Sequence, residues 1–221
     1  MKELQILNII GLFFLTAACN GALIGNTSGD DTGSGDRTTD AQLDGHTEPN
    51  LENQDTNGDG CPDEVFLDVA AEEGPGANYP APELNVSCTA TEMTVTSNGI
   101  THYPYEDTNP NDMNVQNHSW TITLNPQVAD TITEIPLLGD VGFAINGIPF
   151  YGPNEAAFPD PYGDPVFNGI MDECMGHPGG QADYHYHSLL VRCLSAGGID
   201  QEIDTSVPSP IIGFALDGFP I

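Results

Sequence analysis

The chain has 221 residues, with 33 Asp or Glu against 3 Lys or Arg, and a formal net charge of -30. So few cations cannot neutralise a phosphate backbone, which excludes charge-driven nucleic-acid binding and argues against docking on an anionic lipid surface. Hydrophobic residues make up 38% of the chain, and its 25 Gly and 18 Pro favour a turn-rich fold over a helical bundle.

The N-terminus resembles a bacterial lipoprotein signal. Its apolar run from Leu4 to Ala18 is too short to span a membrane and ends in small residues before Cys19. Residues 1–18 are therefore predicted to be a signal peptide, with a lipid anchor on Cys19 and export of the mature protein. The outer membrane is favoured over the inner one, with the protein facing the periplasm or the cell exterior. An ordinary secretory signal with a coincidental cysteine is the alternative.

Residues 19–54 are predicted to be a disordered acidic tether. They are rich in Gly, Ser, Thr, Asn and Asp and contain few aliphatic side chains. Such a segment cannot bury enough apolar surface to offset its conformational entropy, and its negative charges repel one another.

Residues 55–83 are predicted to be a calcium loop followed by a linker. The segment begins with an acidic loop. Its oxygen-bearing side chains stand at positions one, three, five and nine, with Gly at position six, as calcium-wrapping loops require. The predicted calcium ligands are Asp55, Asn57, Asp59 and Asp63. Phe66 stands at position twelve where an EF-hand has Glu, so the loop instead resembles a single thrombospondin type 3 calcium segment. An acidic linker that only attracts counterions is the alternative.

Residues 84–221 are predicted to form a compact, mainly β domain, sandwich or barrel-like, with long loops. Apolar and polar side chains alternate over residues 93–96 and 120–124, which is typical of half-buried strands. No segment of useful length has a helical period.

A nine-residue repeat lies within this domain. The sequence GFAINGIPF, from Gly142, recurs as GFALDGFPI from Gly213. Each copy predicts a hairpin with a tight Asn-Gly or Asp-Gly turn, and the pair suggests a pseudo-symmetric core. Because the second copy stops inside an apolar strand at Ile221, the domain is predicted to be incomplete at its C-terminus.

Four cysteines remain besides Cys19, and export favours their oxidation to disulfides. Three pairings are possible, and the preferred one joins cysteines that are close in sequence. The predicted disulfides are Cys61–Cys88 and Cys174–Cys193. A thiolate zinc site is not expected, because the sequence has no CxxC motif.

The segment Tyr184-His185-Tyr186-His187 is the best candidate for chemistry. On a strand, alternate side chains share a face, so the two imidazoles project together and the two phenols project oppositely. Paired imidazoles can chelate zinc or copper. The candidate metal ligands are His185, His187, His177, His102 and Asp172. Residues expected to support them from behind are Asp217, Tyr184 and Tyr186. In the alternative interpretation, the histidines are polar residues on the wet side of a sheet.

Three segments together resemble the YHYH domain family of exported proteins: YHYH at 184–187, GHPGG at 176–180 and IGFALDGFPI at 212–221. Asn98-Gly99-Ile100, followed by His102, is similar to an early segment of that family, although Thr101 replaces its proline. The resemblance covers residues 84–221 and implies an extracytoplasmic domain with a histidine-rich site and no assured reaction.

Three functions are compatible with these patterns. The preferred one is a membrane-anchored module that binds zinc or copper through the histidines. A metal-dependent, hydrolase-like enzyme and a calcium-stiffened structural or adhesive module are the alternatives. The sequence contains no nucleophile elbow, HExxH, P-loop or dinucleotide-binding motif. Because it also supplies no substrate-recognition feature, binding is preferred over catalysis, and divalent metal ions are the expected partners.

Overall fold

The computed structural model describes residues 55–131, 133–157, 159–188, 191–194, 206 and 210–221. The predicted signal peptide, the predicted lipidation site Cys19 and the predicted tether lie outside the described residues. Within the described ranges, no helix combines the length and the apolar character needed to cross a membrane. The domain boundaries drawn from the sequence stay predictions.

The described part of the chain is mainly β, as predicted, and contains two sheets. The first sheet is antiparallel, in the order β1 (Leu84–Cys88), β2 (Glu92–Ser97) and β3 (His118–Thr123). The second sheet has the order β6-β7-β5-β4-β8. Its strands are β4 (Asp140–Ala144), β5 (Pro149–Tyr151), β6 (Gly176–Pro178), β7 (Tyr184–Tyr186) and β8 (Gly213–Ala215). The helical elements are α1 (Pro165–Asn168) and 3-10 turns at Asp63–Val65, Val69–Ala71 and Val191–Leu194.

The two sheets pack on each other through one apolar cluster. The buried side chains of β2 and β3 alternate with half-buried or exposed ones, as the sequence predicts. Trp120 of β3 stacks on Phe143 of β4, with ring centroids 4.8 Å apart. Phe143 in turn lies 6.0 Å from Phe214 of β8. Burial of these large rings is a main source of the stability of the sheet pair, since apolar burial dominates folding.

The sequence repeat forms two hairpins that meet through their first strands. β4 and β8 pair antiparallel with Phe143 opposite Phe214, so a local two-fold axis passes between these two corresponding residues. Each copy begins with a glycine that lies against the other copy. A Cβ at Gly142 would lie 2.6 Å from the Phe214 carbonyl oxygen, and one at Gly213 would lie 2.5 Å from that of Phe143. The predicted pseudo-symmetry is therefore present as a local two-fold relation between these strands.

The turns of the two hairpins have the same backbone but different surroundings. Gly147 and Gly218 have φ of +78° and +96°, a region that glycine adopts without steric cost. The residue before the glycine differs, because Asn146 is 2% exposed whereas Asp217 is exposed. The two copies therefore share a hairpin conformation, but the residue before the glycine is buried in the first copy and exposed in the second.

Both predicted disulfides are present. Cys61–Cys88 ties the acidic loop to the last residue of β1. Cys174–Cys193 joins the turn before β6 to the 3-10 turn at Val191–Leu194. The second disulfide thereby fixes the loop that precedes His177.

Candidate metal centre

Strand β7 separates its imidazoles from its phenols. His185 lies on one face and Tyr184 and Tyr186 on the other, as expected from the two-residue period of a strand. His177 of β6 stands opposite His185 in the antiparallel ladder, so it shares the face of His185. His187 follows β7 directly, and its ring centroid lies 4.9 Å from that of His185.

Four side chains converge on this face and define the histidine–glutamate cluster: Glu155, His177, His185 and His187. Their ligand atoms all lie within 4.8 Å of one another. His185 Nε2 is 3.0 Å from His187 Nε2, and Glu155 Oε1 is 2.9 Å from His177 Nε2 and 2.7 Å from His187 Nε2. The imidazoles are 2–3% exposed and the carboxylate 14%. The cluster is therefore nearly closed to solvent.

Glu155 reaches the cluster because β5 and β7 are parallel neighbours. Parallel strands end at the same edge of a sheet, so the residue four positions after β5 lies beside His187, directly after β7. The connecting loop is well fixed. The Glu155 amide donates to Asp160 Oδ2 at 2.8 Å, and the Asn154 amide donates to the Leu137 carbonyl at 3.1 Å. Sequence reasoning missed Glu155, because no local motif distinguishes it among 33 carboxylates.

The electrostatics of the cluster favour a cation. Burial raises the pKa of Glu155, but hydrogen bonds from His177 and His187 outweigh that effect and bring this pKa well below its usual range. Burial, together with the neighbouring His177 and His187, lowers the pKa of His185 to about 4. At neutral pH the glutamate is thus ionised and His185 is neutral, the protonation states that metal binding requires.

The ring of His185 is held from behind. A carbonyl can only accept, so the 3.1 Å contact between His185 Nδ1 and the Asp183 carbonyl places the ring proton on Nδ1. Tyr151 stacks on the ring at 3.9 Å, and its hydroxyl donates to Asp183 Oδ2 at 2.5 Å. His185 Nε2 therefore presents a lone pair to the cluster, the arrangement usual for metal-binding histidines.

The donor set suits zinc or another first-row transition metal, which imidazole and carboxylate ligands bind. Two ligands of a tetrahedral zinc ion, each about 2.0–2.1 Å away, lie about 3.3 Å apart. The observed separations of 2.7 and 3.0 Å are somewhat shorter. A shift of about half an ångström would admit the ion. The residues therefore fit such an ion in chemistry and in arrangement.

Comparison with known proteins identifies the region that holds this cluster. The family model described as YHYH protein matches residues 119–221. These residues form a YHYH domain. The match includes the whole cluster but begins after His102, so the resemblance expected from residue 84 onward is confirmed from residue 119. No curated protein and no solved structure matches the chain.

Two predicted ligands lie outside the cluster. His102 is buried, and its Nδ1 lies 3.2 Å from the amide nitrogen of Asn146. Asp172 accepts the Tyr184 hydroxyl at 2.5 Å and the Cys174 amide at 2.8 Å. Both side chains contact residues of the tyrosine side of β7, which the sequence could not distinguish from the histidine side. In the structure, Glu155 completes the cluster in their place.

The residues expected to support the imidazoles have other partners. Tyr103 joins the two tyrosines of β7, its hydroxyl lying 2.9 Å from those of both Tyr184 and Tyr186. Asp217 is exposed and accepts the Phe219 amide within its own turn at 3.3 Å. The tyrosines of the YHYH domain therefore hold strand β7 in place. They do not support the imidazole nitrogens of the cluster.

The predicted calcium loop is ordered by its own side chains. The Asp55 carboxylate accepts the amides of Gly58, Asp59 and Gly60 at 2.6–3.1 Å. Asp63 Oδ1 is buried without a hydrogen-bond partner among the described residues. In the described ranges, the histidine–glutamate cluster is the only group of three or more His, Cys, Asp or Glu ligand atoms within 4.8 Å. Calcium binding therefore stays a prediction.

Proposed function

We propose that the YHYH domain binds one transition metal ion, zinc or copper, at the histidine–glutamate cluster. The observation that carries the proposal is the convergence of four ligand atoms within 4.8 Å. The four residues come from β6, β7 and the residues that follow β7 and β5. Three imidazoles that are 2–3% exposed, in contact with a carboxylate that is 14% exposed, are costly to bury unless they share protons or an ion.

The setting supports the same function. The formal net charge of -30 creates a negative field that concentrates cations near the protein. The two disulfides accord with an oxidising compartment. We place the domain outside the cytoplasm, anchored to the bacterial membrane, with the outer membrane favoured, through a lipid on Cys19. The acidic segment between Cys19 and the domain would act as its tether.

Elemental analysis of the full chain after loading with zinc or copper tests the proposal. The doubly substituted His185→Ala, His187→Ala variant loses two cluster imidazoles. A variant with His102→Gln and His118→Gln also loses two histidines, one buried and one half-buried, but neither belongs to the cluster. We expect about one ion per chain in the wild type and in this control, and almost none in the alanine variant. Equal metal content in all three proteins would overturn the proposal.

We further propose that the loop from Asp55 to Asp63 binds calcium weakly and stiffens the start of the domain. The Cys61–Cys88 disulfide supports this idea, because it anchors the loop to β1. Titration with calcium, followed by near-ultraviolet circular dichroism, tests it. No change up to several millimolar calcium, the weak end of protein calcium sites, would count against it.

A further inference from the structure

We propose that His177 is not a ligand of the ion in the proposed metal site. Asn109 holds the His177 proton on Nε2, and the ion is bound by His185, His187 and Glu155, with one coordination position left open. This inference rests on the proposed function and identifies its ligands. It also assigns Asn109 as a positioning residue.

The side-chain amide of Asn109 has a fixed orientation. Its Oδ1 accepts the Asn111 backbone amide at 2.8 Å, and its Nδ2 donates to the Pro178 carbonyl at 3.0 Å. Exchanging the two atoms would place an oxygen against a carbonyl and an NH2 group against an N–H. Backbone groups cannot change between donor and acceptor, so these two partners determine which end of the amide faces His177.

The fixed amide determines the tautomer of His177. Asn109 Nδ2 lies 2.8 Å from His177 Nδ1, and an amide nitrogen can only donate. Nδ1 must therefore accept, and the single proton of a neutral imidazole stands on Nε2. That N–H donates to Glu155 Oε1 at 2.9 Å. In this state His177 has no free lone pair for an ion.

The other two imidazoles are not restrained in this way. His185 carries its proton on Nδ1 and presents Nε2 to the cluster. The Nδ1 of His187 is buried without a partner among the described residues, so no contact there fixes its tautomer. His187 Nε2 lies 2.7 Å from Glu155 Oε1, which can only accept, so the proton faces Glu155 in the metal-free state. Because no described partner occupies Nδ1, the proton can instead stand there, and Nε2 is then free to coordinate an ion. Two imidazole nitrogens and one carboxylate are thus available.

A set of two histidines and one glutamate is the ligand set of some catalytic zinc sites, which keep a fourth position for water or substrate. Structural zinc sites have four protein ligands. The His177 N–H would instead hold the coordinating carboxylate, since hydrogen-bonded outer partners orient metal ligands. The inference therefore favours a metal-dependent enzyme over a closed binding site.

Cobalt(II) loaded into the full chain tests the inference, because azide can replace a bound water, and so change the visible spectrum, only where a coordination position is open. We expect a clear spectral change when azide is added to the wild type. In Asn109→Asp, the carboxylate can only accept, so His177 must carry its proton on Nδ1 and can coordinate through Nε2. We expect no azide response and about 10-fold tighter binding.

Asn111→Asp is the matched control. Asn111 donates to the same Pro178 carbonyl at 3.1 Å, with no hydrogen bond to His177, and the substitution adds the same charge. It should behave as the wild type does. Nitrogen-15 NMR of the metal-free wild type gives an independent readout that needs no variant, and should find the His177 proton on Nε2.

Two results would overturn the inference: a wild-type cobalt spectrum unaffected by azide, or a His177 proton found on Nδ1. If instead cobalt fails to bind the wild type, or binds the His185→Ala, His187→Ala variant equally well, the proposed function itself fails. The two failures are therefore distinguishable.

Discussion

Both faces of β7 carry polar side chains away from solvent, but the two faces satisfy those side chains in different ways. On the tyrosine face, hydroxyls, a carboxylate and an amide form one buried chain: Asp172, Tyr184, Tyr103, Tyr186, Asn146 and His102. On the histidine face, three imidazoles and Glu155 form the cluster. Both groups are buried and polar, and such groups are costly unless their hydrogen bonds are made.

The difference lies in what each group can donate and accept. A hydroxyl does both and can rotate, so the tyrosines satisfy one another without any ion. An imidazole has one proton and a fixed ring, so His185, whose proton stands on Nδ1, directs an unprotonated Nε2 into the cluster. The comparison indicates that the tyrosine face stabilises the strand, whereas the histidine face is built for a ligand.

On each face of β7, the side-chain amide of an asparagine lies against the Nδ1 of an imidazole. Asn146 does so to His102 at 3.2 Å, and Asn109 does so to His177 at 2.8 Å. On the tyrosine face, His102 Nε2 has no hydrogen-bond partner among the described residues, whereas His177 Nε2 lies 2.9 Å from Glu155. The two asparagine contacts are therefore alike, but the far nitrogen has no described partner in His102 and faces the candidate metal site in His177.

Replacing Glu155 should have the largest effect on the histidine face. Glu155→Gln removes the negative charge that an ion needs, and we expect zinc affinity to fall at least about 100-fold, or about 2.7 kcal/mol. Glu173→Gln makes the same change at an exposed carboxylate and should leave affinity unchanged. Competition with a chromophoric chelator measures both. Equal affinities of the two variants would show that Glu155 is not a ligand.

Local sequence patterns predicted several strands and both hairpins of this protein. The features they missed depend on contacts between residues far apart in sequence. Alternation identified β2 and β3, and the sequence repeat predicted the hairpins that meet at Phe143 and Phe214. The two-residue period also placed His185 on one side of a strand and Tyr184 on the other. These features depend on neighbours in sequence, where side-chain direction follows from backbone period.

Glu155 could not be found in that way, because its position depends on β5 lying parallel to β7. No sequence spacing encodes that pairing. His102 was named as a ligand because it follows the early segment that resembles the family, and Asp172 because it lies shortly upstream of the YHYH motif. In the structure both lie on the tyrosine side. Choosing among 33 carboxylates requires the strand order.

Acid should weaken the tyrosine face through His102. Burial lowers the pKa of His102 to about 4, below its unfolded value near 6.5. The unfolded chain therefore binds the proton first, and stability falls as the pH drops from about 6.5 to about 4. We expect a loss of about 2 kcal/mol by pH 5, measured by urea unfolding. His102→Gln should lack this part of the pH dependence, and an unchanged slope in that variant would refute the assignment.

Removing the Tyr103 hydroxyl, at the centre of the tyrosine face, should have a smaller effect. That effect should be confined to stability. Tyr103→Phe takes one partner from Tyr184 and one from Tyr186, which keep their bonds to Asp172 and Asn146. We expect a loss of about 1.5 kcal/mol in urea unfolding with zinc affinity unchanged.

Tyr79→Phe is the control for that substitution, because its half-buried hydroxyl makes only a 3.5 Å contact with Asp107. It should cost much less stability. If Tyr103→Phe weakened zinc binding as strongly as Glu155→Gln, the two faces would act as one site and the comparison would be wrong.

The smallest expected effect concerns the acidic loop, which lies on neither face of β7. If its calcium dissociation constant is about 1 mM, then about 5 mM calcium should stabilise the fold by about 1 kcal/mol. Asp55→Asn should abolish this gain, because the Asp55 carboxylate organises the loop through three amides. Asp68→Asn, at an exposed carboxylate that caps nothing, should keep it. Because Asp55 already accepts those amides without an ion, equal calcium gains in both variants would mean that its carboxylate serves only the turn.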